Sequence, residues 1–501
     1  MQPFHVVIVG GGTAGWLSAG MIASKNPDVQ VTLIESPQVK NLGVGEGTWP
    51  TMRETLRQIG IDELAFLKHC QASFKQASKF VGWQHGGKEA YYHPFTAPAG
   101  YGQTNLAAIW QPDAADDFAR QSCAQVSICE AQKAPKTMQM APYAFALNYG
   151  YHLDAGGFVE LLHSHCTTQL GVSYLTGHVE QVNNHPSGAI SHLILTDGRQ
   201  ISGDLFIDCS GFTARLIGQH YGIKTVSCKD VLFNDAALAV QVEHADSQTP
   251  IASATIATAR DNGWIWDIAL AGRRGIGHVF SRSHTDADAV EASLRQYIAS
   301  DSNLKQTAFS PRLITFEPGY RHTFWQHNCV AIGVSAGFVE PLEATALVLI
   351  EKSAEWIASQ LPRSAPAMQI LASRFNAMTT QRWCDIVDFL KLHYALSQRQ
   401  DTAYWREHQD PRSWPESLAQ SLALWESQPP WLYESREKYE LFSSASKQYV
   451  LYGMGFSTTL AQPDPQQAAR LINETRRQTE KLLAGLPENR DFTDAVARTG
   501  Q

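Results

Sequence analysis

The sequence predicts an α/β fold built on a doubly wound parallel sheet, with an added antiparallel β layer and a mainly helical C-terminal module. Three observations carry this expectation. Residues 5 to 35 run strand, glycine turn, helix, strand. Continuous apolar runs at 204 to 210 and 329 to 335 have the texture of strands covered on both faces. From about residue 346 onward, apolar residues recur at three-to-four spacing with charge between them.

The first unit is HVVIVG, then a glycine turn, the helical AGWLSAGMIAS and a second strand, VQVTLIE, which is the order of a βαβ unit. DLFIDCS and CVAIGVS are expected to join the same sheet from far along the chain. Between them, HVEQVNNHPSGAISHLILTDGRQISG at 178 to 203 carries hairpin signals at Pro186-Ser187-Gly188 and Asp197-Gly198, so an antiparallel layer is expected there. ALVLIEKSAEWIASQL and ARLINETRRQTEKLLAGL read as helices, and the Pro-rich stretches at 361 to 366 and 428 to 430 as loops. The resulting division has a discontinuous core of residues 1 to 90, 145 to 220 and 315 to 365. A β layer with loops follows over 91 to 144 and 221 to 314, and helices over 366 to 501.

Composition narrows the class. Hydrophobic residues make up 44%, charged residues 18%, and the formal net charge is -8, with no Lys/Arg-rich block. Nothing there offers a footprint for nucleic acid. No window reaches the ~18 apolar residues of a membrane span. The eight cysteines form no C-x-x-C pair, and the N-terminus does not resemble a secretory signal, so a cytoplasmic protein with reduced thiols and no metal site is expected.

Gly10, Gly12 and Gly15 give G-x-G-x-x-G between a strand and a helix, and Glu35 ends the next strand. Glycines there allow a tight turn and close backbone approach to a pyrophosphate, the helix N-terminus supplies N–H donors, and Glu35 can accept from a ribose hydroxyl. FAD and NAD both fit that motif. A second glycine cluster at 42 to 48 and Asp208-Cys209-Ser210-Gly211 after a distant strand favour FAD, since an extended cofactor is then gripped from three places. The candidate cofactor residues are Gly10, Gly12, Thr13, Ala14, Gly15, Glu35, Gly45, Glu46, Asp208 and Gly333.

Six segments in order resemble the flavin-dependent tryptophan halogenases: GGGTAGW at 10 to 16, LGVGEGTWP at 42 to 50, ASFKQASKF at 72 to 80, DLFIDCSGF at 204 to 212, GWIWDI at 263 to 268 and FVEPLEATA at 338 to 346. The likeness covers most of the chain. The first and fourth segments occur widely among flavoproteins; the lysine, W-x-W-x-I and F-V-E-P-L-E segments discriminate. The resemblance implies a glutathione-reductase-like FAD-binding sheet and an enzyme that uses FADH2, O2 and chloride or bromide to make hypohalous acid, which travels a tunnel to an organic substrate. It implies a separate NADH-dependent flavin reductase as partner and a small aromatic substrate. Lys75 and Glu343 match the family's catalytic lysine and glutamate. Thr345 and Ala346 match its halide-site dipeptide, His93 and Phe95 its ring-facing positions, and Trp264 and Trp266 its tryptophan pair.

Taken alone, several of these residues have plainer readings. Lys75 reads as a solvated lysine, and Lys79 shares its parity on a strand, so spacing does not separate the two. Glu343 reads equally as a helix-start carboxylate facing the dipole. Trp264 and Trp266 read as core aromatics, and His93 as an edge residue with a backbone partner.

The chain also departs from the family. Ala344 stands where serine is usual, Ala346 where glycine is usual, and Ala269 where proline follows the tryptophan segment. In PPWLYESREKYELFS the tyrosine pair and stacking tryptophan of tryptophan-specific members have no clear counterpart, although Phe442 falls near that place. An indole-like substrate, with bromide preferred to chloride, is therefore expected over free tryptophan. The rival readings are a single-component flavin monooxygenase, against which the absence of a second G-x-G-x-x-G weighs modestly, and a flavin-binding redox protein without turnover.

Overall fold

The computed structural model describes residues 3–38, 45–110, 117–362, 364–434, 440–459 and 464–499. Leu42, Gly43 and Val44 of the second glycine cluster, and residues 435 to 439 of the C-terminal segment, lie outside the described residues. The chain divides into two compact units. The first comprises Met1–Gln71, Leu153–Cys228 and Glu317–Trp383; the second comprises Ala72–His152, Lys229–Phe316 and Cys384–Gln501.

A six-stranded sheet organises the first unit, in the order Trp325–Gln326, Cys329–Ala331, Leu205–Asp208, His5–Val9, Gln30–Glu35, Ser173–Thr176. All neighbours pair in parallel except the outermost, Trp325–Gln326 with Cys329–Ala331. His5–Val9 is a central strand, and its apolar run is explained by burial on both faces: Val6, Val7 and Ile8 have no exposed surface. The glycine turn leads into the helix Thr13–Lys25. The expected antiparallel layer is a three-stranded meander, Val179–Asn184, Ile190–Leu195 and Gln200–Ser202. Its turns use Gly188 and Gly198 at φ of 89° and 83°.

The second unit is built on a seven-stranded sheet in the order Arg312–Thr315, Ala236–Glu243, Arg273–Phe280, Gly263–Ala269, Ala254–Arg260, Ala77–Val81, Ala90–Pro94. Only the pairing of Ala254–Arg260 with Ala77–Val81 is parallel. One face packs on the helix Ala287–Ala299 through Val240, Ile265, Ile276, Phe280, Val290 and Leu294. Within this unit lie the helices Ala403–Gln409, Glu416–Trp425, Ser444–Gly453, Pro465–Gly485 and Asn489–Arg498. The long helix Ala365–Ala395 starts in the first unit and ends in the second. The loop expected at 361 to 366 is present at the described residues up to 364 and gives way to this helix only at its last two positions. Ala365 and Pro366 open the helix, where proline's fixed φ and missing N–H are tolerated.

The helix Thr345–Ser359 buries a carboxyl group. Glu351 is 1% exposed and accepts from Thr51 Oγ1 at 3.1 Å and Thr55 Oγ1 at 2.6 Å. Burial, opposed by those two hydroxyls, pushes it up to about 7. Its folded value thus lies above the unfolded one, so the native state binds the proton more tightly. Stability falls as pH rises from the ordinary carboxyl range through about 7. A shift of this size corresponds to about 3 kcal/mol. Glu351→Gln, which mimics the protonated form, is expected to raise the melting temperature above pH 7 and to leave it unchanged near pH 4.5. Melts of both proteins across that range check it; an equal gain at both ends would refute the linkage.

Among the described residues no helix is long and apolar enough to cross a membrane. All eight cysteines are free, and all but Cys384 are buried.

Candidate functional site

The glycine turn sits at the carboxyl end of the central strand, where doubly wound sheets bind ligands. Gly10 adopts φ 124°, and a Cβ there would lie 2.2 Å from the Cys209 carbonyl oxygen. A Cβ on Gly15 would lie 1.8 Å from the Gly10 carbonyl oxygen. Two of the glycines are therefore required by close backbone approach. Gly12 is the N-cap of the following helix and supplies no side-chain cap, so the first-turn N–H groups are presented without an internal acceptor from a side chain. Gly12, Thr13 and Ala14 are half-buried, whereas residues 15 to 23 of the helix are buried.

Distant segments meet at this turn. Gly333, at φ 75°, comes so close that a Cβ on it would be 2.8 Å from Ala14 Cβ. Ile332 N donates to the Asp208 carbonyl at 3.0 Å. The Asp208 carboxylate accepts from Ser210 N, Ser210 Oγ, Leu216 N and Ile217 N. With four donors, it organises the chain after its strand. Glu35 accepts from Tyr174 OH at 2.9 Å, and its carboxyl lies against Gly11, where a Cβ would be 2.2 Å from Cδ. Gly45 is buried, and burial pushes the neighbouring Glu46 carboxyl up to about 7. A turn without side chains, donors at a helix start and an acidic residue at the next strand end fit a dinucleotide.

In the same unit, Glu343 and Ala344 are consecutive left-handed residues, at φ 65° and 55°. Left-handed non-glycine residues each cost ~1–3 kcal/mol and persist only where the surroundings impose them. Here Trp49 Nε1 donates to the Glu343 carbonyl at 2.8 Å. Ala344 is the N-cap of Thr345–Ser359 and gives no side-chain cap; Thr345 is buried and Ala346 exposed. The turn thus presents first-turn amides beside a carboxylate that is 6% exposed.

Lys75, in the second unit, has no exposed surface, and its Nζ lies 5.3 Å from the Phe95 ring centroid. Here the structure separates what spacing does not. The chain leaves one strand at Lys75 and begins another at Ala77, so Lys75 pairs with Gly150 in a short ladder. Lys79 belongs to the seven-stranded sheet, half-buried over Tyr92. Phe95 is held by an amide network invisible as a motif. Its N–H donates to the Gln76 carbonyl, Asn148 Nδ2 donates to its carbonyl, and Gln125 Nε2 donates to the Asn148 carbonyl.

His93 is buried, with ring centroids of Phe389, Tyr449 and Phe442 at 5.7, 6.2 and 6.4 Å. Phe442 stacks on Phe389 at 3.7 Å and is 1% exposed. Trp264 and Trp266 project from one face of their strand, 6.5 Å apart. Trp266 lies over Gly277 of the neighbouring strand, where a Cβ would meet its ring at 2.1 Å. Ile265, between them, and Asp267, which follows Trp266, face the opposite side. Among the described residues no group of three or more His, Cys, Asp or Glu side chains is placed to hold a metal.

An α/β chain with mixed sheets of this kind matches solved flavin-dependent halogenases. A tryptophan halogenase from Shewanella frigidimarina superimposes with a TM-score of 0.96 at 45% identity, over 100% of this chain and 98% of that one. BrvH, a flavin-dependent halogenase from Brevundimonas sp. BAL3, gives 0.86 at 32%, over 99% of each. Tryptophan 6-halogenase SttH from Streptomyces toxytricini is 31% identical over 525 residues, covering 99% of both chains. The family model of tryptophan halogenase matches residues 5–470. The chain belongs to the tryptophan halogenase family and is an enzyme.

Proposed function

We propose that this enzyme halogenates an indole-like aromatic, using FADH2 from a separate NADH-dependent flavin reductase, O2, and chloride or bromide. The observation that supports this most is the fully buried Lys75, whose ammonium lies against the Phe95 ring, a ring-facing position in the resemblance. When bound, the reduced flavin with O2 supplies the oxidising equivalents that turn halide into hypohalous acid. The turn at Gly10, Gly12, Thr13, Ala14 and Gly15 would hold its pyrophosphate, with Glu35 on a ribose. Gly45, Glu46, Gly333 and the backbone around Asp208 would complete the cradle.

The first-turn amides at Thr345 and Ala346 would hold the halide. Lys75 donates a hydrogen bond to the oxidant and orients it. Glu343 takes the proton that leaves the ring carbon. Trp264 and Trp266 separate substrate from flavin, and His93, Phe95 and Phe442 line the ring pocket. We place the enzyme in the cytoplasm.

Loss of a general base costs ~10²–10⁴-fold. Glu343→Gln is therefore expected to lower kcat for product by that order while reduced flavin is still oxidised at the parental rate. An undiminished kcat would make the carboxylate structural only.

Free tryptophan is the poorer substrate in this reading. Of the two tyrosines in the C-terminal segment, Tyr433 is 95% exposed and Tyr439 lies outside the described residues; a buried ammonium and carboxylate without partners would be costly. The test is a competition between indole and tryptophan with chloride and with bromide, supplied with FAD and a reductase. Indole brominated at C3 is the expected main product. Regioselective chlorination of tryptophan would return the protein to the amino-acid-specific branch, hydroxylated product would indicate a monooxygenase, and no product with any combination would overturn the proposal.

A further inference from the structure

We infer that His152 is a positioning residue for Lys75, fixing where the lysine side chain presents its ammonium. The short ladder places Ser73 opposite His152 and Lys75 opposite Gly150. Residues two apart on a strand share a face, and diagonal neighbours across a ladder remain within reach of long side chains. His152 and Lys75 are such a diagonal pair. Gly150 contributes no side chain opposite the lysine, so on the partner strand the face is furnished by His152. Both residues have no exposed surface.

Two hydrogen bonds carry the face to the large sheet. His152 Nε2 and Thr255 Oγ1 are 2.7 Å apart, and Ser73 Oγ donates to the Ala269 carbonyl at 2.5 Å. The lysine strand is tied through Ser73 to the end of the tryptophan strand, Gly263–Ala269, and its ladder partner Gly150–Leu153 through His152 to Ala254–Arg260. Burial, followed by the charge of Lys75, holds the imidazole well below its ordinary pKa, although the Ala269 backbone acts the other way. His152 is therefore neutral. It fills the space beside the lysine stem without a negative charge that would draw the ammonium toward it.

This inference rests on the proposed role of Lys75 and adds the residue that aims it. Misplacing a reacting group by about 1 Å can cost ~10²-fold. The test uses the full chain with FAD, reductase, bromide and indole, and reads brominated product per reduced flavin oxidised. His152→Leu, similar in bulk but unable to bond Thr255, is expected to lower that ratio about tenfold or more with flavin oxidation unchanged. His152→Gln, which retains a polar group for Thr255, is expected to restore most of it. Thr255→Val removes the same bond from the other side and is expected to uncouple in the same way, so the link is read even if His152→Leu fails to fold.

A parental ratio in His152→Leu or in Thr255→Val overturns the inference, as does His152→Gln uncoupled as fully as His152→Leu. Undiminished bromination by Lys75→Met would instead overturn the reading of Lys75 itself, which keeps the two failures distinct.

Discussion

Lys75→Ala is expected to abolish halogenated product while leaving the oxidation of reduced flavin at its parental rate. The lysine is wholly buried, and the nearest lysine in sequence, Lys79, belongs to another sheet and lies over Tyr92 rather than Phe95. No neighbouring ammonium on that strand can take its place. The flavin half-reaction is assigned to the glycine turn and the segments that meet it, and Lys75 is not among those residues. Loss of a positioned proton donor costs ~10²–10⁴-fold. Product per flavin oxidised, followed by mass spectrometry alongside flavin absorbance, measures the effect. Lys75→Met keeps the side-chain length and should behave alike, whereas Lys79→Ala should be mild. A productive Lys75→Ala enzyme would remove the central residue from the proposal.

The second large effect concerns stability. Asp267, inside the tryptophan segment, is 2% exposed and receives Arg274 Nε on Oδ1 at 2.8 Å, with Arg274 Nη2 on Oδ2. Tyr297 OH donates to the same Oδ2 at 2.9 Å, and Arg274 Nη1 reaches Asp301 at 2.6 Å. Burial opposes the guanidinium charge, but Asp267, Tyr297 and Asp301 more than offset it and hold Arg274 above its ordinary pKa. Removing one partner of a buried pair strands the other. Arg274→Met is expected to cost about 3–5 kcal/mol, and Asp267→Asn in the Arg274→Met background should recover much of it. Denaturant melts of the single and double variants check this. A neutral single variant would mean that Asp267 is already neutralised by its other neighbours.

Much of this molecule is legible in one dimension, and the reason is local. The glycine turn, its flanking strands and the meander at 179 to 202 are specified by short-range patterns, because close backbone approach and positive φ admit few residue types. Lys75 was ambiguous against Lys79 because parity assumes one continuous strand, and the change of ladder between Lys75 and Ala77 leaves no compositional mark. Prolines tolerated in a first turn blur only the start of the helix, which opens at Ala365 inside the stretch read as a loop. Gln76, Gln125 and Asn148, which hold Phe95, carry no signal at all. Amides distributed over seventy residues become a network only after folding. His152 was equally silent, since a histidine on an apolar strand is ordinarily a core residue. Asp208 was legible as the end of a strand, but not as the acceptor of four donors.

The two left-handed residues at Glu343 and Ala344 also bear on how this enzyme can be diversified. Their conformation is set by the path of the chain, so a library at these positions is filtered by backbone before it is filtered by chemistry. β-Branched residues at 344 will be purged, and glycine, asparagine and aspartate enriched, whatever halide the screen rewards. Diversity intended to tune anion choice is therefore better spent at 346, exposed in the first turn of the helix, where the side chain varies without changing the left-handed path before it.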